Sequence, residues 1–152
     1  MGLILYCDGS VEPFNPGGVA TYGVSIEEGR KEIDHMKGYL GEGIGITNNQ
    51  TEYQAMLCAI TWVIEQERTQ EPIEFRADSQ LMIRQLRGEW RIYAEHLRVL
   101  CEGIQESLKV FPFLTLTWIP RLQNRRADFL ARKAYREHVT SHGTACVGWG
   151  TV

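Results

Sequence analysis

Four acidic side chains stand where carboxylates can do chemistry: Asp8, Glu52, Asp78 and Asp128. Asp8 follows the apolar run Leu3-Ile4-Leu5-Tyr6-Cys7, and Asp78 follows Ile73-Glu74-Phe75-Arg76-Ala77. Glu52 opens a long apolar segment, and Asp128 lies near the start of the last one. An isolated carboxylate held beside a core is costly, so acids placed this way usually have partners or bind a cation. Their oxygens are hard ligands that suit hard cations. Each acid alone has a plainer explanation: Asp78 before Ser79 could cap a helix, and Glu52 and Asp128 could favour the positive ends of theirs. Four acids at four such junctions are harder to dismiss.

The elements that must carry them can be read from hydrophobic spacing. The first apolar run reads as a buried strand that ends at Asp8-Gly9-Ser10. The stretch Glu12-Pro13-Phe14-Asn15-Pro16-Gly17-Gly18 is dense in turn formers. Ala20, Tyr22, Val24 and Ile26 then alternate as in a half-buried strand, and Glu28-Gly29 turns the chain into a third strand through about Tyr39. From about Gln50 to Gln66, apolar residues cover most of a helix circumference, which describes a buried helix with Glu52 in its first turn. Thr47, Asn48, Asn49 and Thr51 can each cap it. A strand over 73–77 follows, then helices through about Leu86 and from about Ala94 to Lys109. A strand from Phe113 to Ile119 and a helix from about Arg125 to His138 complete the order βββαβααβα. That order predicts an α/β fold with a mixed sheet covered by helices.

At 152 residues the chain fits one domain with a sizeable core. No apolar run approaches the roughly 20 residues of a membrane-spanning helix. The opening residues read as a strand rather than a signal peptide, so a cytoplasmic location is expected. Cys7, Cys58, Cys101 and Cys146 form no CxxC pair, which argues against a zinc site. The net charge of −3 hides a gradient: residues 1–75 carry −8 and residues 76–152 carry +5. A basic half can attract phosphates while a nearby acidic cluster needs cations to tolerate them. Two ordinary solvated faces would give the same balance.

The motifs around the four acids resemble those of ribonuclease H, type 1. They are Tyr6-Cys7-Asp8-Gly9-Ser10, Thr47-Asn48-Asn49-Gln50-Thr51-Glu52-Tyr53, Ala77-Asp78-Ser79-Gln80 and Asn124-Arg125-Arg126-Ala127-Asp128. The likeness covers about residues 3–136; a lone DGS is weak, but all four in order are strong. It implies the ribonuclease H-like fold, with a five-stranded mixed sheet, and hydrolysis of the RNA strand of RNA/DNA hybrids. Asp8 would bridge two Mg²⁺ ions about 4 Å apart. Glu52 and Asp78 would complete one ion and Asp128 would help hold the other, with Mn²⁺ able to substitute. The products would be 5′-phosphate and 3′-hydroxyl ends. By the same resemblance Gly9, Ser10, Asn15, Asn48, Asn49 and Gln80 would line the hybrid's minor groove, where the 2′-hydroxyl marks RNA. Thr47 matches a position that grips a phosphate of the DNA strand. The expected state is a monomer without membrane attachment.

The sequence also departs from the family. Gly45 stands where some members have a basic residue, and the segment around Arg84, Arg87, Trp90 and Arg91 is too short for a basic handle. Trp90 could stack on the DNA strand or be an ordinary half-buried residue. No histidine lies in Ile119-Pro120-Arg121-Leu122-Gln123-Asn124, a loop that carries one in some members; Arg121 or Arg125 could stand in. The catalytic domain is expected over residues 1–138. Residues 139–152, with Val147, Trp149 and Val152, are expected to pack back on it as a tail. A Cys58–Cys146 pairing is one arrangement of that tail, and separate thiols are the other. Alternatives in function are a non-cleaving nucleic-acid-binding module of the same fold and a purely structural domain.

Overall fold

The computed structural model describes residues 2–141. Strands β1 (Leu3–Glu12), β2 (Val19–Glu28) and β3 (Lys31–Glu42) form an antiparallel meander. Helix α1 (Asn48–Glu65) leads to β4 (Ile73–Ala77), which returns beside β1 in parallel. Helices α2 (Gln80–Leu86) and α3 (Glu95–Leu108) precede β5 (Leu114–Trp118), parallel to β4, and α4 (Arg125–Ser141) closes the chain's described part. The sheet order is β3-β2-β1-β4-β5. The expected order βββαβααβα and the five-stranded mixed sheet are both present. No helix of the described residues is long and apolar enough to cross a membrane.

Periodicity explains the layers. Leu3, Leu5 and Cys7 of β1, with Val24, Ile26, Ile73 and Phe75 of its neighbours, are buried, and α1 contributes Tyr53, Met56, Ile60 and Val63 to the same core. The Phe75 and Phe111 rings meet edge to face at 5.7 Å, a geometry aromatic quadrupoles favour. Helices α1 and α4 press on opposite faces of the sheet. A Cβ on Gly9 would lie 2.4 Å from the Thr51 carbonyl of α1, and one on Gly23 would lie 2.3 Å from the Ala127 carbonyl of α4. Side chains at Gly9 and Gly23 would point to opposite faces, because Gly23 pairs with Asp8, and neighbouring residues of a strand alternate. Only glycine lets both helix backbones come so near.

Four boundaries differ from the sequence-based expectation, the simplest being β3, which runs past Tyr39 to Glu42. Strand β1 does not stop at Asp8; it runs on to Glu12, hydrogen-bonded to β2 alone, because β4 ends opposite Cys7. Glu52 lies in the second turn of α1, since Thr47 is the cap and the helix begins at Asn48. Thr47 accepts from the Gln50 N–H while the Gln50 side chain accepts from the Thr47 N–H, and this reciprocal capping box fixes the start. Helix α4 continues past His138 to Ser141, so residues 139–141 are helical. The expected packing of the remaining tail, including Cys146 against Cys58, lies outside the described residues. Among the described residues, Cys7, Cys58 and Cys101 form no disulfide.

Candidate metal centre and nucleic-acid interface

The end of the β1–β4 ladder makes the site. Parallel pairing stops at Cys7 and Ala77, so the next residues, Asp8 and Asp78, lie on two diverging backbones. Crevices of this kind, beyond the carboxyl ends of strands, are where open α/β sheets bind ligands. Glu52 reaches in from α1 on top of them. Asp8, Glu52 and Asp78 each offer an oxygen within 4.8 Å of the others. Asp8 is 6% exposed and Glu52 8%. Around them opens a trench of about 360 Å³ whose lining includes Gly9, Ser10, Asn48, Asn49, Arg121 and Asp128.

Hydrogen bonds hold the three acids unequally. The Gly9 N–H donates to Glu52 Oε1 at 3.0 Å, while Glu52 Oε2 is buried with no hydrogen-bond partner among the described residues. Asn124 Nδ2 donates to Asp78 Oδ2 at 3.0 Å, and Trp118 Nε1 donates to the Asp78 carbonyl at 3.2 Å. Asp128, in the first turn of α4, stands at the trench wall outside the three-acid group, and Arg132 one turn later meets it at 3.2 Å.

Burial, followed by the charges of Glu52 and Asp78, raises the Asp8 pKa far above the usual carboxylate range. Burial and then Asp78 raise that of Glu52, against the lowering effects of the neighbouring Asp8 carboxyl, the Gly9 N–H and Arg121. A carboxyl with a raised native pKa keeps its proton in the folded chain at pH values where the unfolded chain has released it. The unfolded state then binds fewer protons, so stability falls as pH rises. The metal-free protein is therefore expected to lose melting temperature steadily from about pH 5 upward through neutrality. A divalent cation titrated in at pH 8 should restore it if the folded cluster binds the ion, because a ligand held by the folded state alone stabilises that state. A melting temperature flat with pH would refute this electrostatic reading of the cluster.

The residues expected to meet substrate divide into two sets. Gly9, Ser10, Asn48 and Asn49 line the trench. Asn15, Thr47 and Gln80 do not, and two of these have identified local tasks. Thr47 caps α1, and Asn15 Oδ1 accepts from the Asn48 N–H at 3.1 Å. Gln80 lies exposed at the first position of α2, next to the cap Ser79. The loop before β2 and the loop before α1 are further joined by Gly17 N–H to the Ile46 carbonyl at 3.0 Å and Gly43 N–H to the Gly18 carbonyl at 3.3 Å. Trp90 is 44% exposed with the Arg84 guanidinium over its ring at 5.6 Å. Sequence reasoning left out Arg132, whose i,i+4 spacing from Asp128 on a helix was its one available signal.

Residues 24–134 match the family model described as reverse transcriptase-like. Ribonuclease HI of Halobacterium salinarum is 39% identical over 95 residues, which cover 62% of this chain and 47% of that protein, so the match spans about half the length of that relative. The crystal structure of RNase H1 from the same archaeon superposes with a TM-score of 0.80 at 30% identity, covering 90% of this chain and 99% of that one. The structure of LC11-RNase H1 in complex with an RNA/DNA hybrid gives a TM-score of 0.81 at 29% identity, over 90% of this chain and 99% of that one.

Proposed function

The chain belongs to the ribonuclease H family, type 1, within the reverse transcriptase-like group, and on that premise we propose that it hydrolyses the RNA strand of RNA/DNA hybrids. The observation that carries this reading is the group Asp8, Glu52 and Asp78, gathered within 4.8 Å at the floor of an open trench. A buried Glu52 oxygen with no hydrogen-bond partner among the described residues, beside two more carboxylates, has the donor chemistry of a hard-cation site. Asp8, Glu52 and Asp78 would hold divalent cations, with Asp128 completing the set from the trench wall; Mg²⁺ is the proposed metal, two ions with substrate, and Mn²⁺ a substitute. Bound metal supplies charge neutralisation at the phosphate and a water of lowered pKa.

The chain's own groups then do the selecting. Gly9 and Ser10 on β1, with Asn48 and Asn49 at the start of α1, present backbone and side-chain donors and acceptors along the trench. Such groups can read a 2′-hydroxyl, which both donates and accepts. Asn15, Thr47 and Gln80 flank this strip and would extend it. In-line attack on the RNA phosphate, with cleavage of the bond to the 3′-oxygen, would leave 5′-phosphate and 3′-hydroxyl ends. We further propose a monomer acting in the cytoplasm.

A Mg²⁺-dependent cleavage assay comparing RNA/DNA, RNA/RNA and DNA/DNA duplexes tests the reading. Cleavage confined to the RNA of the hybrid is expected; salt-sensitive hybrid binding without cleavage would mean a non-cleaving module instead. Asn49→Ala should weaken cleavage by about 1–2 kcal/mol, roughly 5- to 30-fold, through lost hydrogen bonds to substrate. Wild-type kcat/KM in that variant would remove the α1 start from the binding surface.

A further inference from the structure

The loop between β5 and α4 places one neutral side chain under the acid cluster. Asn124 is 1% exposed, and its amide nitrogen spends both hydrogens on the site: one goes to the Cys7 carbonyl and one to Asp78 Oδ2, each at 3.0 Å. Cys7 and Ala77 are the last pair of the parallel ladder, so Asn124 stands in the gap where β1 and β4 part. Its backbone carbonyl accepts from the Asp128 N–H at 3.1 Å, which ties the same residue to the first turn of α4. One residue thus touches the backbone next to Asp8, the side chain of Asp78 and the helix turn that carries Asp128.

The Asp78 carboxylate follows the last residue of β4, and its rotation has to be set by a neighbour. The amide donor on Oδ2 does this and leaves Oδ1 as the oxygen free of that bond. Groups that hold a ligating carboxylate typically change metal affinity by about 10–100-fold when removed. We infer that Asn124 is a positioning residue for metal binding: it fixes Asp78 at a set distance from Asp8 by bridging the fork between β1 and β4. A donor-only contact is needed at this point. An aspartate here would add a fourth negative charge, and a lysine would put a cation where a cation must bind. The inference rests on the proposed metal centre, but its test does not require catalysis.

Calorimetric titration of Mn²⁺ into the metal-free protein reads it directly. Asn124→Ala is expected to weaken Mn²⁺ binding about tenfold, and to lower kcat for the hybrid at a given metal concentration while KM for the hybrid stays near wild type. A merely structural role would lower the melting temperature and leave the Mn²⁺ affinity of the folded fraction unchanged. The decisive comparison is a double-mutant cycle with Asp78→Ala. Acting through Asp78, Asn124→Ala should cost nothing further in that background; an equal loss with and without Asp78 overturns the inference, as does a loss under about threefold in the single variant. Should the alanine variant melt below the assay temperature, Asn124→Ser, which fills part of the space and keeps a polar group there, is read by the same thresholds. If wild type binds Mn²⁺ but leaves hybrid uncut, the proposed activity fails while the role of Asn124 is still decided by the titrations.

Discussion

Asp8→Asn is expected to reduce hybrid cleavage by about 10³-fold or more, roughly 4 kcal/mol of transition-state stabilisation, without disturbing the fold. Asparagine has nearly the shape of aspartate, and the β1 backbone around position 8 is held by β2 whatever the side chain. What goes is one of the three carboxylates that meet within 4.8 Å, and with it a charge the proposed metal requires. The same change removes the repulsion and burial cost that raise the Asp8 pKa. The metal-free variant should therefore melt at or above wild type at pH 8, and its melting temperature should depend less on pH. Single-turnover cleavage at saturating Mg²⁺, read beside a thermal melt, checks both halves. Substantial activity in the variant would remove Asp8 from the metal site.

Gly9→Ala should damage stability and activity together, although it adds a single methyl group. That carbon would lie 2.4 Å from the Thr51 carbonyl oxygen, 2.5 Å from its carbon and 2.8 Å from the Glu52 nitrogen. All three are backbone atoms of α1, so no side chain can swing aside. Either β1 or α1 must move, at a cost of about 1–3 kcal/mol for overpacking. The melting temperature should fall by about 2–4 °C per kcal/mol for a chain of this size. Asp8 and Glu52 ride on the two elements forced apart, and Gly9 N–H is the donor that holds Glu52 Oε1. A shift near 1 Å at reacting groups commonly costs about 10²-fold in rate, and a loss of that order is expected here. Wild-type Tm and kcat would show that α1 has room to retreat from the strand.

The layers were legible because apolar spacing reports burial. The alternation of Ala20, Tyr22, Val24 and Ile26 led to the right element but not to its burial, since Thr21 and Ser25 on the other face are buried as well. The all-round apolar character of residues 53–63 led to a buried helix. The extension of β1 through Glu12 was not legible, since Asp-Gly-Ser reads as a turn wherever no partner strand is known. Here the partner is β2, and the polar stretch is a strand because β2 supplies its hydrogen bonds. The cap of α1 was ambiguous among four candidates, and a reciprocal bond between Thr47 and Gln50 decided it. The nearness of Asp8, Glu52 and Asp78 was expected because their motifs resemble those of ribonuclease H; Asp128, expected with them, stands at the trench wall outside the group. The place of Asn124 was not legible, because its contacts reach Cys7 and Asp78, 117 and 46 residues away.

The bonds that join the loop before β2 to the loop before α1 have a thermodynamic consequence for recognition. Gly17 to Ile46, Gly43 to Gly18 and Asn48 to Asn15 clip two separate connections into one body beside the trench. A free loop of comparable length would surrender about 1–2 kcal/mol of entropy for each residue it ordered around a ligand. Here much of that ordering is complete before any ligand arrives, so contact energy is less diverted into freezing backbone. The two loops are set in advance, and under the proposed function a duplex should meet them closer to lock-and-key than to a fold-on-contact encounter.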